Sequence, residues 1–340
     1  MENQKKIKPI IIILVTGIVL LFFCNLFIGS VKIPLVEVFK IIAGEEACKQ
    51  SWGIIVIQSR LPQAVTAMFT GAALAVSGLL LQTVFRNPLA GPSILGIESG
   101  ASLGVAVVML FLGGTIGSSM INISITGYMA IVTGAFLGSL MILAIIIFFS
   151  TITKSNIMLL IIGIMISYMT SSIISLLNFF ASAEGVFSYT IWGMGNFSGV
   201  SLHQIPFYCG IITIGLGFAA MQIKPLNALL LGDDYAKNLG TKVSRVRIFL
   251  LMSTGILTAV STAFCGPVSF IGLAVPHVAR LVTSTSNHTI LLPVTMLIGS
   301  FTALLCNLIS TLPSSSGIIP LNAITPIFGA PIIIYVVAPY

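Results

Sequence analysis

The segment from Lys224 to Arg247 concentrates the charged side chains of this sequence. It holds seven of the 23 charged residues, which are 15 Lys and Arg with 8 Asp and Glu. Pro225 suits a first helical position, Gly232 can end a short helix, and Asp233 or Asp234 can cap a second one. This charged segment predicts a surface on which another protein docks through apolar side chains. The alternative is a solvated loop whose lysines only set membrane topology. The candidate docking residues are Pro225, Leu226, Leu229, Leu231, Gly232, Asp233, Asp234, Tyr235, Ala236, Leu239 and Gly240.

A P-loop and a zinc-protease motif are missing from the sequence. No G-x-x-x-x-G-K-[ST] or H-E-x-x-H pattern occurs, so any nucleotide energy must come from a partner chain. His277 follows Pro276 and precedes Arg280 by three positions, which favours a structural donor over a catalyst. Four of the five cysteines lie in apolar runs and only Cys48 lies in a polar segment, so no disulfide framework or metal site is indicated. We therefore expect a chain that is not an enzyme and binds no cofactor.

Glu98 is an isolated carboxylate near the start of a predicted membrane helix. The helix dipole favours an anion there, and a proton relay is a second role for such a residue. A proton-coupled secondary transporter is accordingly the alternative class of function.

The elements around these residues are long uncharged runs. The chain is 57% hydrophobic and 7% charged, and a membrane span needs about 20 apolar residues. The sequence predicts an all-α polytopic membrane protein with one domain over 1–340, a cytoplasmic coupling segment at 224–245 and external segments at 31–59 and 184–204. The predicted helices are 9–30, 61–84, 93–112, 126–150, 157–180, 205–222, 246–265, 268–284, 289–310 and 321–338.

Basic residues predict the orientation in the membrane. With the N-terminus in the cytoplasm, eleven Lys and Arg residues lie inside and four lie outside (Lys32, Lys40, Lys49 and Arg60). The same rule accounts for the net charge of +7, so nucleic acid is not an expected partner.

A short internal repeat is visible. The stretches 71–77 and 255–261 share Gly, Ala, Val and Ser at the same offsets, and each is followed by a Gly-Pro pair. The predicted topology makes the two copies antiparallel, as in the inverted repeats of transporters. The alternative is chance similarity between helices rich in small residues.

A series of ordered motifs extends from about residue 55 to the C-terminus. It comprises Arg60-Leu61-Pro62, Gly71 to Gly78, Arg86-Asn87-Pro88 to Pro92, Leu95-Gly96, Trp192 to Gly195, Leu231 to Ala236, Leu239-Gly240, Gly266-Pro267, Phe270 to Leu273, Pro276-His277, Arg280 and Gly329 to Pro331. With these motifs the chain resembles the FecCD/BtuC-type permeases of ABC importers for ferric siderophores, haem and vitamin B12. By the same resemblance, Arg86, Asn87, Pro88, Gly266, Pro267, Gly272, Pro276, His277 and Arg280 are structural motif residues.

The resemblance implies partners and cargo. It implies a ten-helix subunit that forms a homodimer in the bacterial cytoplasmic membrane, with two ATPase subunits that carry ATP and Mg, and an external substrate-binding protein. The expected cargo is an iron chelate, with vitamin B12 as the alternative.

The resemblance also implies roles for particular residues. The charged segment would couple to the ATPase, Lys154, Ser155 and Asn156 would form a cytoplasmic gate, and Arg60 would dock the binding protein. The family's R-L-P-R reads Arg60-Leu61-Pro62-Gln63 here. Docking through charge pairs would thus be weaker, or would use Lys32, Lys40 and Lys49.

Overall fold

The chain is a helical bundle in the computed structural model, which describes residues 2–45, 48–112, 125–153, 155–312 and 319–337. No β-strand occurs in these ranges. The helices are α1 (Glu2–Phe27), α2 (Leu35–Ile42), α3 (Gln50–Phe85), α4 (Ile97–Ala106), α5 (Ile125–Ile152), α6 (Asn156–Phe180), α7 (Ala183–Gly193), α8 (Ile205–Met221), α9 (Ile223–Leu230), α10 (Asp233–Asn238), α11 (Val243–Cys265), α12 (Ile271–Thr283), α13 (His288–Ser310) and α14 (Leu321–Val337). Two π-helical segments occur, Ile55–Arg60 within α3 and Val107–Leu112 after α4.

The predicted membrane helices match the observed ones. Within the described residues, six helices are long and apolar enough to cross a bilayer, and α8 with α9 passes the same test as a pair bent by 49°. Three shorter apolar helices, Ile97–Phe111, Ile271–Thr283 and Leu321–Tyr335, coincide with the remaining predictions. Each of the ten predicted segments therefore corresponds to one element, and the all-α polytopic fold is confirmed.

The centre of the bundle is α3. Of its most apolar stretch, 83% is buried, against 22% for α1 and 28% for α6. It packs against α13, α11, α12 and α8. Gly71 allows the contact with α13, because a Cβ there would lie 2.2 Å from the Gly299 carbonyl oxygen. Small residues thus let the backbones approach closely, as is usual between membrane helices.

The two copies of the internal repeat contact each other in the structure. Gly71 of α3 faces Gly299 on α13, and Gly255, at the same offset in the second copy, faces Leu143 on α5. The Ser77 Oγ lies 2.9 Å from the Thr258 Oγ1. The two glycines meet different groups, so the repeat stays a prediction beside the alternative of chance similarity.

The predicted external segment 31–59 is only partly a linker. The expected short amphipathic helix is α2, which buries Val38 and Ile41 and exposes Leu35 and Phe39. The rest differs from the prediction, because α3 already begins at Gln50. Its first turns are helical since Val56 packs with α2 in a separate small apolar cluster.

The segment 184–204 carries one short helix and a loop. The Ser182 Oγ accepts a hydrogen bond from the Gly185 N–H and caps α7, which ends at Gly193. This helix is shorter than a membrane span, in agreement with the prediction.

Candidate docking surface

The charged segment folds as two short helices, as predicted. α9 continues from α8 after a bend of 49°, and α10 follows at Gly232. Gly232 has φ +118° and Gly240 has φ +82°, which are left-handed conformations that glycine adopts without a Cβ clash. Both glycines therefore end their helices where the sequence indicates.

Two details of the predicted capping are wrong. Pro225 is the third residue of α9, because the helix begins at Ile223. The N-cap of α10 is Gly232, and neither Asp233 nor Asp234 caps it through a side chain. Asp233 is used instead for ion pairs with other parts of the chain.

One face of these helices is buried. Leu226, Leu229 and Ala236 are at most 4% exposed, because α9 packs on α3 and α13 while α10 packs on α11. They were predicted as docking residues, and the structure corrects this: they fix the segment to the bundle and are not accessible to a partner.

The exposed side of these helices carries three large apolar side chains among polar ones. Leu231, Tyr235 and Leu239 are 63%, 52% and 61% exposed. We call these three residues the exposed triad. Because their helices are held by buried neighbours, the exposed triad is presented in a fixed position rather than on a loose loop.

Asp233 lies between two arginines from distant parts of the sequence. The Arg86 Nη2 is 2.5 Å from the Asp233 Oδ1, and the Arg247 Nη2 is 3.8 Å from the Oδ2. Arg86 follows α3 and has φ +47°, while Arg247 belongs to α11. The ion pairs therefore fix α10 relative to both central helices.

A neighbouring ion pair is local to α10. Lys237 donates to the Asp234 Oδ1 at 2.8 Å. The hydrogen bond and the charge of Lys237 lower the pKa of Asp234, and the same contact raises the pKa of Lys237. Because the two side chains are largely exposed, this pair orders the helix surface more than it stabilises the fold.

A second polar network ties α9 to the bundle. The Asn227 Oδ1 accepts from the His288 backbone N–H at 2.8 Å and lies 3.0 Å from the His288 Nδ1. The His288 Nε2 is 2.9 Å from the Thr83 Oγ1 at the end of α3. These hydrogen bonds join α9 to the end of α3 and to the start of α13.

The predicted gate turn lies at the same end of the bundle. The Ser155 Oγ accepts from the Met158 N–H at 3.3 Å and caps α6, and Asn156 donates to the Val84 carbonyl oxygen at 2.9 Å. Lys154 lies outside the described residues. The turn is therefore attached to α3 beside Arg86, and its role as a gate stays a prediction.

The structural motif residues join α12 to the end of α3 and to the loop that follows α3. Arg280 donates to the Gln82 Oε1 at 2.6 Å, and the His277 Nε2–H donates to the Pro88 carbonyl oxygen at 2.8 Å. His277 is the structural donor that the sequence indicates.

The turns themselves depend on particular residues of the same motifs. The Asn87 Oδ1 accepts from the Leu89 N–H at 2.9 Å, Gly266 has φ +72° before Pro267, Pro276 lies inside α12, and a Cβ on Gly272 would lie 2.9 Å from the Leu74 carbonyl oxygen.

Arg60 does not have the exposure that its predicted docking role needs. It is 6% exposed and donates to the carbonyl oxygens of Leu26, Phe27 and Val31 at 2.8, 2.9 and 2.5 Å. These carbonyls lie at the end of α1 and just after it, where helices leave acceptors unsatisfied. The guanidinium therefore caps α1, and the prediction of a free docking charge is corrected.

Sequence reasoning missed a buried amide network at this end of the bundle. Gln63 donates to the Asn307 Oδ1 at 3.0 Å, and Asn307 donates to the Asn25 Oδ1 at 2.8 Å. Gln63 is the position at which the chain departs from the family's R-L-P-R. Because Gln63 contacts Asn307, this departure belongs to a neutral network.

The fold and the surface define a class of protein. The chain is a polytopic membrane subunit whose exposed triad stands on short helices at one end of the bundle. The model of the FecCD transport family matches residues 17–338. The chain belongs to this family, which comprises membrane permeases of ABC importers.

Curated relatives and a solved structure agree with this assignment. The chain is 32% identical to the vitamin B12 import system permease protein BtuC of Klebsiella pneumoniae over 83% of its length and 82% of the relative. It is 34% identical to BtuC of Citrobacter koseri over the same shares. A structure described as a metal-chelate type ABC transporter in an inward-facing conformation matches with TM-score 0.83 and 29% identity, over 98% of this chain and 100% of that one.

Proposed function

We propose that this chain moves a metal chelate across the bacterial cytoplasmic membrane, driven by separate ATPase subunits that dock on the exposed triad. The observation that carries the proposal is an apolar face on firmly attached helices at the membrane edge. Large apolar side chains that are exposed outside the membrane-spanning helices favour an interaction site. Membership of the FecCD family makes an ATPase the expected occupant, with ATP and Mg bound in that partner.

The position of the charged segment also supports an orientation of the chain in the membrane. Arg60 lies in the first half of α3, whereas Arg86 directly follows its last residue, and Arg86 pairs with Asp233 of the charged segment. We place the charged segment, and with it the N-terminus, in the cytoplasm, because most basic residues then lie inside.

The subunit is proposed to act as a homodimer. Membership of the FecCD family supports this, and Ile157, Met165 and Met169 of α6, which are 71%, 55% and 55% exposed, offer an apolar face for a second copy. A second copy would cover part of this face, and lipid would cover the rest. Native mass spectrometry of the full chain in lipid nanodiscs should give twice the monomer mass, and a monomer alone would refute the dimer.

The external binding protein needs another contact than Arg60. Lys32 and Lys49 are exposed at that end of the bundle, while Lys40 is paired with the Glu37 Oε1 at 3.3 Å. Reversing the charges of Lys32 and Lys49 should weaken docking modestly and most clearly at low salt, because rim charges are screened.

The proposed cargo is an iron chelate such as a ferric siderophore or haem. Vitamin B12 is the second candidate, since the curated relatives named above are B12 permeases. Cobalamin is itself a metal chelate, so each candidate is a metal ion bound by a large organic ligand.

Transport in liposomes tests the proposal. The full chain, its cognate ATPase and its cognate binding protein are reconstituted together, and ATP-dependent uptake of radioiron-labelled chelate and radiocobalt-labelled cobalamin is compared. Uptake of the iron chelate only would support the first cargo, and uptake of cobalamin only would replace it with the second. Uptake that needs a proton gradient but no ATPase would overturn the proposal in favour of a secondary carrier.

A further inference from the structure

Glu98 lines a cavity between the loop before α4 and the loop before α12. The cavity has a volume of about 180 Å³ and is lined by residues of α3, of these two loops, and of the first turns of α4 and α12. The polar side chains among its lining residues are Ser93, Glu98 and Ser269. Because Ser93 is exposed and Leu74 lies in the interior of α3, the cavity extends from the surface towards α3.

The carboxylate of Glu98 has no protein partner in the described part of the chain. The residue is 8% exposed, and neither a hydrogen bond nor an ion pair of its side chain occurs among the described residues. An isolated charge in such an environment is costly, and buried charges in proteins are paired or bind an ion. An ionisable residue inside a membrane domain is in addition a mark of function.

We propose that this cavity is a binding site for one small monovalent cation, with Glu98 as its anionic ligand. Glu98 is the one ionisable side chain among the lining residues, so a single positive charge neutralises the site. A divalent ion would leave an uncompensated charge in a region of low dielectric. The hydroxyl groups of Ser93 and Ser269 supply the neutral oxygen donors that hard cations prefer.

The size and position of the cavity suit this role. A single water needs only about 10–15 Å³ of comparable volume, so the cavity can hold a cation with part of its hydration shell. Ser93 is exposed at the surface, whereas Glu98 is buried, so an ion can enter past Ser93. A cation bound here would join the loop before α4 to the loop before α12 and hold these two loops in one arrangement.

Binding of radiolabelled sodium to the full chain in lipid nanodiscs tests the site. We expect saturable binding of one sodium ion per chain and a rise in the thermal unfolding midpoint when sodium replaces N-methylglucamine at constant ionic strength. Glu98→Gln should weaken sodium binding at least tenfold and remove the rise. Glu184→Gln, at an exposed acid on α7, should leave both unchanged.

Three results would overturn the site. They are no saturable sodium binding by the unaltered chain, binding by Glu98→Gln at the original strength, and an unfolding midpoint that responds to pH but equally in both salts. A midpoint that depends on pH but not on the cation would show that Glu98 is a neutral, protonated carboxyl. If Glu98→Gln does not fold, Ser269→Ala gives a second variant, with an expected weakening of sodium binding. Neither cargo nor ATPase enters the measurement, so its failure is distinct from failure of the proposed importer function.

Discussion

Replacing Leu239 with glutamate tests the exposed triad most directly. Its side chain is 61% exposed, so about three fifths of its apolar surface remains to be buried by a partner. Full burial of a leucine side chain contributes about 1.5–3 kcal/mol, which scales to about 1–2 kcal/mol here. Since about 1.4 kcal/mol is a factor of ten in affinity, the lost burial alone weakens docking of the ATPase about tenfold. The cost of desolvating the new carboxylate adds to this.

The fold of the permease should not suffer from the same change. Leu239 is the C-cap of α10 and already faces solvent, and surface substitutions usually change the free energy of unfolding by no more than about 0.5 kcal/mol. The assay is co-purification of the ATPase, followed by ATP-driven transport in liposomes. Leu202→Glu, at an exposed leucine in the loop before α8, is the matched control and should bind the ATPase normally.

Two outcomes would refute the reasoning. Normal ATPase binding and transport by Leu239→Glu would return the charged segment to the alternative of a solvated loop that only sets topology. A lower unfolding midpoint of the isolated Leu239→Glu permease would show that the side chain acts in folding rather than in docking.

Three further predictions concern the charges at the two ends of the bundle. Asp233→Arg should impair ATP-driven transport, because it removes the ion pair with Arg86. The double variant Asp233→Arg with Arg86→Asp should restore transport in part, and absence of any rescue would contradict a direct pair. Arg60→Gln should lower the thermal unfolding midpoint by removing three hydrogen bonds to carbonyl groups, about equally at low and high salt, whereas a defect confined to low salt would point back to docking. The ion pair with Lys237 lowers the pKa of Asp234 below 3.8, so the stability that this pair adds is complete at neutral pH and is lost only as the pH falls through that lowered pKa. ATPase binding by Asp234→Asn and by the unaltered chain should therefore have the same pH dependence between about pH 5 and 8.

Periodicity and charge were sufficient to predict the elements but not their contacts. The uncharged runs located all ten apolar segments, because exclusion of charge from lipid acts on each segment separately. The glycines at 232 and 240 located the ends of α9 and α10 for a similarly local reason. The start of α3 at Gln50 was missed, since that turn is stabilised by Val56 packing on α2 and not by its own composition.

The site shows the same division between local and distant causes. The charged segment was found because charge is rare elsewhere in the chain. Which leucines of this segment are exposed could not be read from the sequence, since Leu229 is buried and Leu231 is exposed only two residues later. Burial here depends on where α3 and α13 lie against α9.

By itself, the sequence determined that this protein is a helical membrane permease with one charged segment. Those properties follow from hydropathy, glycine and proline positions and ordered motifs, all of which are local. Tertiary structure alone decided that Arg60 caps α1, that Asp233 lies between Arg86 and Arg247, and that Glu98 has a cavity in place of a partner. Each of these contacts is made by residues far apart in sequence that come together only when the helices pack. Residue spacing along the chain therefore does not predict them.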